Sequence, residues 1–189
     1  MSGITTLMAL EAVLFIAHLP SGYILGTAIL KRCAKLPATG PAIIAACMLG
    51  AIAPDFDMAY FYLVDHRQTP HHKYLSHWPS VWFTLLLLAA LWFHRARSRA
   101  GCLALVFCAG AVMHLLLDSF VGDIWWFAPF VDQPYALFTV PARFSPWWLS
   151  FVLHWSFAVE LAMCVWALLI YRRRRASPVP RVPKPELGR

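Results

Sequence analysis

A chain of 189 residues that is 60% hydrophobic, with a mean hydropathy of +0.62, is too apolar for an ordinary water-soluble domain, and its length allows about one domain. The net charge of +7 resembles a nucleic-acid signal, but 13 of the 16 basic residues follow three of the apolar runs, a pattern of membrane topology that argues against a nucleic-acid partner. Five cysteines without a CxxC pair argue against a disulfide framework or a zinc knuckle and read as small apolar residues.

Five runs approach the roughly 20 apolar residues that a bilayer span requires. The expected fold is all-α, a polytopic membrane helical bundle of about five transmembrane helices, some broken at proline, at about 7–30, 41–64, 79–94, 101–127 and 147–171. The N-terminus has no basic leader and carries Glu11 inside the apolar stretch, so it reads as a retained span and not a cleaved signal. Span one is centred near His18, with Pro20 expected to break the helix just beyond it and Ser21-Gly22 to permit close approach. Span two is centred near Ala53, where Pro54 is expected to break the helix and turn both Asp55 and Asp57 inward. The next segment holds Asp65-His66-Arg67 and His71-His72-Lys73-Tyr74-Leu75-Ser76-His77, four of the eight histidines of the chain. Span three is almost free of polar groups from Val81 to Phe93.

Span four, continued through Ile124-Trp125-Trp126, is centred near His114 and Asp118, which are four apart and share a helical face. Span five is centred near Glu160. Trp78, Trp82, Trp125, Trp126, Trp147 and Trp148 flank one boundary as an aromatic belt. Residues 1–171 form the membrane domain, and the Arg- and Pro-rich residues 172–189 a disordered tail near anionic lipid heads. Lys31, Arg32 and Lys35, then Arg95, Arg97 and Arg99, then the tail arginines put the ends of spans one, three and five in the cytoplasm. The histidine-rich segment is then outside, where the only basic residues are Arg67, Lys73 and Arg143.

Acids and histidines at bilayer depth are costly, face the bundle interior and mark function. Here four spans carry them near their centres, beneath a loop of histidines. Histidine with carboxylate is a borderline nitrogen and oxygen donor set suited to zinc, manganese or iron. Two other classes compete with a metal enzyme. One is a transporter or channel using the same Asp, Glu and His as a proton or cation path. The other is a non-catalytic membrane protein with a structural metal.

The series His18, Pro54-Asp55-Phe56-Asp57, His72-Lys73-Tyr74-Leu75-Ser76-His77 and His114-xxx-Asp118 resembles the YdjM-like family of membrane-bound metal-dependent hydrolases over about residues 10–127. That family shows an early His, a PDxD motif, an H-R-x-x-T-H motif and a late HxxxD in this order; here Lys73 stands for the Arg and Ser76 for the Thr. The family is in turn distantly similar to zinc-dependent phospholipase C and the P1-type nucleases. The resemblance implies a divalent-metal phosphoesterase with His18, Asp55, His72, His77, His114 and Asp118 as ligands. The later HxxxE of the phospholipases has no counterpart, since His154 and Glu160 are six apart, which speaks against a third metal. On this reading Asp57 is a general base or a partner of the ligands, and Arg67 or Lys73 neutralises phosphate. The substrate is a lipid or lipid-linked phosphate in the outer leaflet of a bacterial-type inner membrane.

Overall fold

The computed structural model describes residues 15–33, 35–141, 143–145 and 147–176. Among these the chain forms seven α-helices: α1 (Phe15–Arg32), α2 (Gly40–Gly50), α3 (Met58–Leu63), α4 (Pro79–Ala96), α5 (Arg99–Asp118), α6 (Trp147–Val152) and α7 (Trp155–Ala176). Three tight 3-10 turns, Pro54–Asp57, His71–Lys73 and Leu75–His77, carry most of the motif residues. The described residues contain no strand, only an isolated antiparallel bridge between Ile124 and Tyr135.

α4, α5 and α7 are long and apolar enough to cross a membrane, and α2 together with Pro54–Leu63 passes the same test as one span bent by 49°. That makes three or four spans where five were expected. The N-terminal part of the first expected span, residues 7–14 with Glu11, lies outside the described residues. The outward faces of α4 and α7 are hydrocarbon: Leu85, Leu87, Leu88 and Leu91 on one, Leu161, Val165, Leu168 and Leu169 on the other, all exposed. Such a surface suits lipid and not water.

α1, α2 and α5 form the packed centre, with α4 against α5 and α7 against α1. The seam between α2 and α5 is a backbone-to-backbone contact. A Cβ on Gly50 would lie 1.9 Å from the Phe107 carbonyl oxygen, and one on Gly110 2.3 Å from the Cys47 oxygen. In α1, a Cβ on Gly22 would likewise meet the Cys47 oxygen at 2.7 Å. Small residues allow this approach, as is usual where helices pack without a hydrophobic driving force. Cys47 and Cys102 join Ile43 and Val106 in the buried core, as free thiols filling space.

Pro20 does not end its helix, contrary to expectation, and α1 runs through it. Proline leaves the carbonyl four residues back without its donor. That carbonyl, on Ile16, accepts instead from the Cys164 thiol of α7 at 3.5 Å, while the Ser21 hydroxyl donates to the His18 carbonyl at 2.6 Å. Pro54 does stop α2, and the chain continues as a 3-10 turn. At the other end α7 runs through Arg172–Arg175 to Ala176, past the expected boundary at 171. Residues 177–189 of the expected tail lie outside the described residues.

Candidate metal centre

α5 ends at Asp118, not near residue 127. The chain turns there: the Gly122 amide donates back to the Asp118 carbonyl, and Trp125 and Trp126 belong to the following loop. His114 and Asp118 therefore occupy the last turns of α5 and not the middle of a span. Asp55 follows the end of α2, His77 precedes the start of α4, and Glu160 lies in the second turn of α7. The polar groups gather at one end of the bundle. The basic residues Lys31, Arg32, Arg95, Arg99 and Arg173–Arg175 occupy the opposite helix ends.

All six expected ligands meet there, each buried: His18, Asp55, His72, His77, His114 and Asp118. His114 Nε2 lies 2.9 Å from Asp118 Oδ2, 3.5 Å from Asp55 Oδ1 and 3.4 Å from His77 Nε2. His77 Nε2 is 3.6 Å from Asp55 Oδ1, and His18 Nε2 is 3.0 Å from Asp118 Oδ1. His72 Nε2 approaches Asp118 Oδ2 at 3.8 Å. Three overlapping sets have ligand atoms close enough to hold one ion: His71, His72 and His77; His18, Asp55 and His114; and His77, His114 and Asp118.

The back of each ring explains the convergence. His114 Nδ1 lies 2.8 Å from the Ala51 carbonyl oxygen, and His77 Nδ1 lies 3.0 Å from Asp57 Oδ2. With Nδ1–H donating outward, Nε2 keeps its lone pair toward the centre, the arrangement common to metal-binding histidines. The His114 bond depends on the glycine seam. Gly110 lies one turn before His114 and against Ala51, so the close approach that it permits puts the Ala51 carbonyl within reach of the ring. Gly122 does the same for His72: a Cβ there would sit 2.7 Å from His72 Cε1.

The donor set fits a divalent cation. Both ring nitrogens of His18, Asp55 Oδ2, His72 Nδ1 and Asp118 Oδ2 are buried without an aligned hydrogen-bond partner among the described residues. Unpaired buried polar atoms are expensive, and a cation among nitrogen and oxygen donors would satisfy several together. His72 lies outside the spans, and burial pushes its imidazolium down to about 3. The ring is therefore neutral at pH 7, the ligating form. For His71 burial acts in the same direction, but the adjoining Asp55 and Asp57 outweigh it and hold the ring protonated up to about 9.

The three residues expected to be catalytic fare differently. Asp57 stands behind the rings: its carboxylate takes the Ser76 hydroxyl and His77 Nδ1, and its other oxygen lies 3.0 Å from His71 Nδ1. Oδ2 is thus engaged from behind by Ser76 and His77, while Oδ1 is buried without an aligned hydrogen bond, so Asp57 stands where it can orient histidines. Lys73 turns to the rim, 2.8 Å from Asp132 Oδ2 and over the Trp125 ring. Arg67 is exposed, has a left-handed backbone (φ 64°) and lies over the Tyr62 ring. Neither cation is among the groups at the centre.

His71, which has no place in the motif series, is 1% exposed, with Nε2 3.3 Å from Asp55 Oδ1. Its available signal was the 3-10 turn implied by Pro70 ahead of His71-His72. His66 and His94 are exposed, and His154 pairs with the Ser156 hydroxyl away from the cluster. Several tryptophans expected in an aromatic belt are hydrogen-bond pins for the loops. Trp82 donates to the Ser76 carbonyl, Trp78 to that of Lys73, Trp125 to Asp132 and Trp126 to the Ser119 hydroxyl.

No curated protein and no solved structure matches the chain. Residues 13–176 match the YdjM inner membrane protein family, most of the chain's length, so the chain belongs to that family. With its apolar helices, this makes it an integral inner membrane protein.

Proposed function

We propose that this member of the YdjM inner membrane protein family is a metal-dependent hydrolase that cleaves a phosphoester of a lipid or lipid-linked phosphate at the outer face of the membrane. The observation that carries the reading is the inward convergence of His18, His72, His77, His114, Asp55 and Asp118, with the far nitrogens of His77 and His114 anchored from behind. These residues would hold one or two divalent cations. Zinc suits the mixed imidazole and carboxylate set best, with manganese or iron as alternatives. Such an ion supplies Lewis acidity toward a phosphoryl oxygen and toward water.

The chain's own part is to fix the donors. Ala51 and Asp57 hold the rings in one tautomer, the glycine seam holds the backbone, and the loop around Trp125 and Trp126 closes over the turn after Asp118. The side of the membrane follows from charge: the basic helix ends are cytoplasmic by the positive-inside rule, and the opposite ends with the His/Asp centre face outward. The fifth span of this reading corresponds to α1 (Phe15–Arg32).

The test begins with metal content. Detergent-purified protein is expected to hold zinc, manganese or iron stoichiometrically, and to release phosphate from at least one member of a panel of phospholipids and prenyl phosphates. Protein without metal sinks the proposal. Metal without phosphate release points to a structural ion. A cysteine placed in the 66–77 segment should react with an impermeant thiol reagent from outside, and labelling from the cytoplasm alone would invert the orientation.

A further inference from the structure

Beside the metal centre, α1, the end of α5 and the start of α7 enclose a cavity of about 110 Å³ that the mechanism above does not use. Its walls are Leu117, Phe120, Val121, Val159 and Met163, almost entirely hydrocarbon. Phe120, Trp155 and Val159 are also exposed on the outer surface of the bundle, so the cavity lies under the lipid-facing side. His18 lines it, and the same ring stands 3.0 Å from Asp118, so whatever fills the cavity adjoins the metal ligands.

Glu160 makes this more than a packing gap. It lines the cavity at 4% exposure, and neither carboxyl oxygen has a hydrogen-bond partner among the described residues. A carboxyl buried without a partner is strongly disfavoured, and in either protonation state at least one oxygen needs a donor. Ser156, which brings the one hydroxyl among the lining residues, is paired with His154. Hydrocarbon alone suits the walls but leaves Glu160 unsatisfied.

We infer that this cavity seats the first methylenes of a lipid phosphate, with Glu160 accepting a hydrogen bond from a hydroxyl or amino group next to the phosphoester. The inference rests on the hydrolase reading for the fate of the bound lipid, but its binding can be tested without turnover. Glu160 selects lipids that carry a donor beside the phosphate, and the cavity holds their chain against α7 while the phosphate faces the His/Asp centre.

The probe is a monoacylglycerol phosphate, which keeps a free hydroxyl near its phosphoester, with a photoactivatable diazirine early in its acyl chain. It is mixed with the protein in phosphatidylcholine vesicles, and adducts are mapped by mass spectrometry. Adducts should concentrate on Leu117, Val121, Val159 and Met163. Val159→Trp, which fills the cavity, should lower them about tenfold by removing burial of one or two methylenes. Leu169→Trp, on the exposed face of α7, should leave them unchanged. Glu160→Gln should keep most of the labelling because the amide oxygen still accepts, whereas Glu160→Leu should lose it.

Equal labelling in Val159→Trp and Leu169→Trp, or adducts spread evenly along the exterior of α7, overturns the inference. Metal content is measured on every variant, and Met163→Trp replaces Val159→Trp should that variant fail to fold. Cavity adducts without phosphate release from any lipid of the panel leave the cavity standing and remove the hydrolase reading. Phosphate release without cavity adducts does the reverse.

Discussion

The α2–α5 seam and the His/Asp centre adjoin each other, yet they are built from opposite materials. At the seam, Gly50, Gly110, Cys47 and Ala51 bring two backbones together and carry no charge. One and two turns further along α5, His114 and Asp118 face Asp55, His77 and His18 in a buried cluster of titratable groups. The seam gains from dispersion and close packing, which vary smoothly with small shifts. The centre gains only when its lone pairs find a cation or a proton, and half-satisfied it is a cost. The apolar seam sets the tolerances of the polar centre, because the Ala51 carbonyl that orients His114 is a seam atom.

The largest effect should come from the centre itself. His114→Ala removes a donor shared by two of the three candidate ligand sets, and metal content, read by atomic emission, should fall from stoichiometric to near background. Full retention of metal would move the site elsewhere. Asp57→Ala removes no donor but frees the His77 ring, and outer partners of ligating histidines are worth about 10–100-fold in metal affinity. Titration against a chelator should show that loss, and an unchanged affinity would make Asp57 a mere turn-former.

The seam should answer in stability before it answers in metal. Gly110→Ala must push the Cys47 oxygen away, at a cost of about 1–3 kcal/mol in detergent unfolding. If the seam sets the tolerances of the centre, the surviving folded protein should also bind metal more weakly. Intact affinity at lowered stability would separate the two regions.

Protons give a smaller, graded effect. His71 keeps its proton up to about 9 beside Asp55 and Asp57, and a cation must compete with it. Apparent metal affinity should therefore climb as pH rises toward 9 and level off beyond it, and a pH-independent affinity would exclude His71 as a ligand. The smallest effect belongs to the rim. Lys73→Gln breaks an exposed ion pair with Asp132, worth about 0–1 kcal/mol, and should leave metal content as in the wild type.

The residues that gather at the His/Asp centre were largely legible because their chemistry is local. A histidine and an aspartate four apart share a helical face wherever the helix sits, and Pro54 ends α2 just ahead of its two acids. Depth was not legible. The apolar run continues through Trp125 and Trp126, which placed His114 and Asp118 at mid-span, whereas the turn at Ser119–Gly122 ends the helix there. Hydropathy cannot distinguish an apolar helix from an apolar loop pinned by indole hydrogen bonds. Pro20 misled in the opposite sense, because its cost is offset by a thiol 144 residues away in the sequence.

Composition, charge placement and motif order were enough to state an all-helical membrane protein with a His/Asp centre, since burial cost and helical periodicity act within a few residues. The roles inside that centre came from contacts between distant segments. Asp57 turned out to stand behind the rings, His71 to stand among them, Lys73 to leave for the rim, and Glu160 to line a lipid-side cavity. Such assignments depend on which nitrogen faces which oxygen across 20 to 63 residues of chain, as with His77 and Asp57 or His114 and Ala51. Distances of this kind exist only once the helices have closed on one another.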